Sequence, residues 1–286
     1  MSASLQIVVL GILFPGLVAY GIARLWPRVT SQLDSPYAMA VAFAASFVAS
    51  YCVLPDWAPL VPDRHWHWLP WLACVAAAVG PLATTSVFRG HRAWIVFASL
   101  AVGSALLLIP KWESLRPSRD VWIIATILGL ALMTGMLDRV AIRYPSRPFL
   151  GWLAGMALAV AIVLAACVSL NYARVALCAA AGLVGCWLAR GRGEGTRAIR
   201  GLLPAYSVAV GGIALVGCLQ PTTPLWAILG LPVAPALLLS LPADPTGSRR
   251  GWKAWLIVHV PVFLFLAVVA TWLTSSMWPI AAHDDW

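Results

Sequence analysis

Long apolar runs separated by short polar connections occupy nearly the whole chain. A helix needs about 20 apolar residues to cross roughly 30 Å of hydrocarbon. That ruler marks ten runs, near residues 4–25, 36–54, 68–88, 92–110, 121–137, 149–169, 174–189, 202–220, 223–242 and 254–275. Two joints are decided by length. Residues 149–189 as one helix would reach about 60 Å, twice a bilayer, so the chain must fold back, and the polar Asn171 and Arg174 mark the turn. Residues 202–242 pose the same problem. Gln220-Pro221-Thr222-Thr223-Pro224 divides them, because two prolines remove donors and stop a helix. The pattern predicts an all-α polytopic transmembrane helix bundle of about ten spans, one integral membrane domain over 1–286. Five spans per half would set the halves in opposite orientations, as in inverted-repeat transporters. The arithmetic permits this five-plus-five arrangement, but no residue-level similarity between the halves supports it.

Composition names the solvent. Of the 286 residues, 62% are apolar and 10% charged, against about 25% charged in a soluble domain. Lipid must surround most of the chain, and the bilayer is its first partner. Small-residue faces, Ala157, Ala161 and Ala165 in the sixth run and Ala179, Gly182 and Gly185 in the seventh, let helices approach closely. They suit packing, a homo-oligomer seam or a partner in a membrane complex. The net charge of +9 comes from scattered loop residues and does not indicate nucleic acid.

The placement of that charge predicts orientation. Arg24, Arg28, Arg89, Arg92, Arg139, Arg143, Arg147, Arg190, Arg192, Arg197, Arg200, Arg249, Arg250 and Lys253 lie in alternate connections. Only Arg64, Lys111, Arg116, Arg119 and Arg174 lie in the other set. Positive loops stay inside, so both termini are expected outside the cell (inner) membrane. The first run has no basic residues before it and reads as an uncleaved span rather than a signal peptide. Tryptophans near the run ends, among them Trp26, Trp66, Trp112, Trp122 and Trp187, fit an interfacial belt.

All charged side chains fall in connections or at run edges. Proton-coupled carriers keep an ionisable group in the membrane interior, so an acid-based proton relay is disfavoured. His259, inside the tenth run, is the one ionisable exception. Breaks within runs carry more. Pro15-Gly16, Gly80-Pro81, Gly211-Gly212, and Pro232 with Pro235 interrupt the first, third, eighth and ninth runs. Broken helices expose backbone groups that need partners or a watery cavity, and transporters bind solutes there. A small-solute permease for a neutral or weakly polar solute is the leading expectation. These eight residues would shape its site, Thr84 and Thr85 would supply hydroxyls, and His259 would bind or gate.

A second expectation is a non-catalytic membrane subunit or scaffold. A third is a membrane enzyme acting at the external face through Asp56, Asp63, His65 and His67. That cluster lacks further histidines at metal-ligand spacing, so no metal is expected. The six cysteines lie in apolar runs without a C-x-x-C pair. No phosphate, dinucleotide or nucleophile-elbow fingerprint occurs, and no cofactor is implied. Gly135-Met136-Leu137-Asp138-Arg139 is one residue short of the G-x-x-x-D-R loop of major facilitator transporters and follows the fifth run, not the second.

Overall fold

A computed structural model describes residues 9–30, 35–53, 62–85, 90–113, 115–143, 147–190 and 196–219. All regular structure among the described residues is helical. We number the helices α1 (Val9–Thr30), α2 (Pro36–Val53), α3 (His65–Thr84), α4 (Ala93–Leu108), α5 (Arg119–Arg143), α6 (Arg147–Cys167), α7 (Leu170–Ala189) and α8 (Thr196–Cys218). Seven of them, all but α4, are long and apolar enough to cross a membrane. With α4 included, the eight helices answer to the first eight runs. The ninth and tenth runs lie outside the described residues, so the count of ten and the five-plus-five division rest on the sequence.

Helix ends differ from the apolar runs for identifiable reasons. α4 has 16 residues and stops early, because Pro110 forces Ile109 into an extended conformation (φ −87, ψ 114). α5 runs to Arg143, with Asp138 and Arg139 inside the helix. Charge ends an apolar run but does not end a helix. The fold-back between α6 and α7 falls at Val168–Ser169, not at Asn171 and Arg174. Ser169 caps α7 by accepting from the Asn171 amide (3.2 Å), so both polar residues belong to the opening turns of α7.

α8 is the centre of the bundle. Every residue of its 18-residue apolar window is buried, whereas only 22% of the corresponding window of α1 is. α2, α3, α4 and α5 pack against α8; α1 packs on α2 and α7, and α6 on α7. Lipid offers apolar surface as readily as a neighbouring helix does, so close backbone approach has to hold such a bundle. Glycine supplies it. A Cβ on Gly185 of α7 would strike the Gly16 carbonyl of α1, and one on Gly201 of α8 would strike the Pro36 carbonyl of α2. A Cβ on Gly182 would strike the Ser46 hydroxyl.

Contacts sort the helix ends into two sets. At one end Trp66 of α3 meets Tyr51 of α2 (6.4 Å) and Tyr172 of α7 (5.7 Å), and His65 meets Trp112 beyond α4 (5.1 Å). At the other, Asp138 of α5 pairs with Arg200 of α8, Arg147 of α6 stacks on Trp187 of α7 (4.6 Å), and Trp94 of α4 fills the space beside Gly135 of α5. Consecutive helices therefore alternate in direction, and α4 and α8 run parallel.

Candidate functional site

α8 carries two irregularities of its backbone close together. Its first half contains Pro204, which cannot donate to the carbonyl one turn back. Immediately after comes a π turn, Ser207–Gly211. A π turn inserts one residue into an α-helix, and such bulges recur at functional sites. Ser207 is the midpoint of Thr196–Cys218. At 1.5 Å per residue it lies about 17 Å from each end of that helix.

Three helices meet these irregularities. Gly80 begins the 3-10 turn Gly80–Thr84 that ends α3. The Pro204 ring lies where a side chain on Gly80 would stand, its Cβ 2.6 Å from the position of a Gly80 Cβ. A Cβ on Gly211 would approach Leu130 (2.9 Å) and Met133 (3.1 Å) of α5, and one on Gly212 would approach Leu69 of α3 (2.8 Å) and Leu108 of α4 (3.1 Å). The expected breaks of the third and eighth runs do not meet each other: Gly80 faces Pro204, and Gly211 and Gly212, seven and eight residues further along α8, face leucines and a methionine of α3, α4 and α5.

The first run's break goes elsewhere. Pro15 is buried in α1, and Gly16 faces Ala181 and Gly185 of α7. A second irregularity of α1, the π turn Val9–Leu13, precedes it. Thr84 donates to the Pro81 carbonyl and Thr85 to that of Leu82, both at 2.7 Å. Their hydroxyl protons are used within the turn, which leaves them acceptors only. Pro232, Pro235, His259 and Asp56 lie outside the described residues.

The external cluster divides in two. His67 is buried, and its Nδ1 lies 2.5 Å from Asp63 Oδ1 on the exposed side. His65, two residues back, turns its ring edge-on to Trp112 instead. Tyr51 and Trp66 close over His67, the Trp66 ring at 4.1 Å. Among the described residues no three His, Cys, Asp or Glu side chains come together as a metal site.

Two features escaped sequence reasoning. Arg200 binds Asp138 through two bonds, Nε to Oδ1 at 2.6 Å and Nη2 to Oδ2 at 3.0 Å, with side chains 21% and 13% exposed. This bidentate pair clamps α8 to α5 below the Pro204 break. Its residues look like ordinary loop charges in the sequence, and only the lengthening of α5 and α8 past their apolar runs brings them into register. The second feature is the buried pair of serines Ser104 and Ser207. Each lies well inside an apolar run, Ser104 in one that also holds Ser99, a signal that was legible but common.

No family model matches the chain, and neither a curated protein nor a solved structure matches it.

Proposed function

We propose that this protein is a permease for a small neutral or weakly polar solute, with its pathway along α8. The observation that supports this reading is the position of the irregular backbone. A π turn and a proline lie on the wholly enclosed central helix, and the 3-10 turn of α3 packs against the same helix. Unpaired backbone groups at membrane depth are tolerated where protein or a watery cavity meets them, and such segments form solute sites in carriers. Charge is confined to the helix ends among the described residues, which suits an uncharged cargo. The Asp138–Arg200 clamp holds one end of the pathway shut.

The test is solute flux into proteoliposomes containing the full chain. Glycerol, urea and acetamide should equilibrate faster than in protein-free vesicles. Gly211→Ala should slow that flux while the protein still folds, because the atoms its Cβ meets are the flexible ends of Leu130 and Met133. Rates equal to those of empty vesicles for every solute would overturn the permease reading and favour a non-catalytic subunit.

A further inference from the structure

The buried serines and threonines within the described helices share one habit, and Ser104 and Ser207 depart from it. Ser46 donates to the Phe43 carbonyl (2.8 Å), Ser50 to Ser46 (2.7 Å), Thr126 to Trp122 (2.7 Å) and Thr134 to Leu130 (2.7 Å). Each returns its proton to its own helix, the usual solution in an apolar medium. Ser104 and Ser207 do not. Both are buried, at 1% and 0% exposure, and neither hydroxyl has a hydrogen-bond partner. A buried hydroxyl without a partner is costly, and native proteins rarely leave one so.

The two stand at one level. α4 and α8 run parallel; Ser104 lies four residues before Leu108 on α4, and Ser207 lies five residues, one π turn, before Gly212 on α8. One turn further on, Leu108 of α4 meets Gly212 of α8, so the helices are in contact just above. α4 packs directly on the π turn that begins with Ser207.

We propose that Ser104 and Ser207 form a mid-depth hydrogen-bonding site for a small uncharged molecule bearing a hydroxyl or primary amide. The choice of ligand rests on the permease reading. A serine both donates and accepts, so the complementary group must do both, as hydroxyls and amides do. No charged side chain among the described residues lies at this depth to balance an ion, which favours an uncharged ligand. The ligand is small, because Leu69, Leu108, Leu130 and Met133 crowd the glycines that follow Ser207.

The experiment compares the wild-type full chain with Ser104→Ala/Ser207→Ala, and with Ser99→Ala on the exposed face of α4 as a control. Two readouts are taken with glycerol and acetamide. One is the shift in thermal unfolding of the purified protein at millimolar solute, below the range in which osmolytes act by exclusion. The other is flux into proteoliposomes. The expected result is a solute-dependent stabilisation of wild type and Ser99→Ala that the double variant loses, with flux falling by about tenfold, the worth of one hydrogen bond.

Stabilisation lost in the double variant without flux in wild type would uphold the site and overturn the permease reading. Flux and stabilisation unchanged in the double variant would overturn the site and leave the permease standing. A double variant that is destabilised with no solute dependence in either protein would mean a resident water, and would overturn the solute proposal. A double variant more stable than wild type, again without solute dependence, would mean two merely orphaned hydroxyls and would overturn it too.

Discussion

Arg200 and Asp63 show how burial decides what a charge is worth. Arg200 reaches Asp138 through two short bonds with both side chains mostly covered, so removing either partner strands a charge in a poorly solvated place. Asp138→Asn should therefore lower the unfolding free energy by about 2 kcal/mol, less than a fully buried pair would lose because some exposure remains. Adding Arg200→Gln should restore more than half of that loss, since the stranded charge is then gone. Denaturant unfolding of the three proteins in micelles checks both statements; equal stability of all three would show the pair to be idle. At the opposite end, Asp63 is 60% exposed beside the buried His67. Asp63→Asn should cost no more than about 1 kcal/mol in the same measurement.

Helices meet through glycine here, and not every glycine does the same thing. Gly201 stands against the Pro36 backbone, which cannot yield, whereas nothing lies within 4 Å of a Cβ on Gly103. Gly201→Ala should destabilise by about 1–3 kcal/mol through forced separation of α8 and α2. Gly103→Ala should be neutral or stabilising by up to about 1 kcal/mol, through helix propensity alone. Thermal unfolding of the two variants distinguishes a seam from a lipid-facing position. The contrast also explains which part of this level was legible. Apolar length located eight described helices because hydrocarbon thickness is a hard constraint. Their ends shifted wherever a cap such as Ser169, a proline such as Pro110, or the charged last turns of α5 overrode hydropathy. Pro15-Gly16 and Gly80-Pro81 look alike in sequence, but one serves the α1–α7 seam and the other faces α8. Which neighbour a break meets is a tertiary fact, and no local pattern encodes it. Trp66 taught the same lesson: a tryptophan at a helix end reads as a headgroup anchor, yet this one is buried among Tyr51, His67 and Tyr172.

At the scale of the molecule, packing and charge address different halves of the topology. Ring contacts and the Asp138–Arg200 pair say which helix ends lie together. The excess of Lys and Arg says which of the two ends should face the cytoplasm, and it selects the Asp138 end. The two statements can fail separately, which makes the orientation testable. Ser118 precedes α5 and is exposed, and Ile142 lies at its far end, 54% exposed. In a background with the exposed thiol Cys52 replaced by serine, Ser118→Cys should react with a membrane-impermeant maleimide in intact cells. Ile142→Cys should react only after the membrane is opened. The reverse pattern would invert the protein while preserving every helix contact, and would place the Asp138–Arg200 clamp on the external side of the proposed pathway. Labelling of both from one side would mean that α5 does not cross, and the alternating bundle would have to be abandoned. The expected pattern makes the clamp a cytoplasmic closure, so that solute meeting Ser207 in the described conformation would have to arrive from outside.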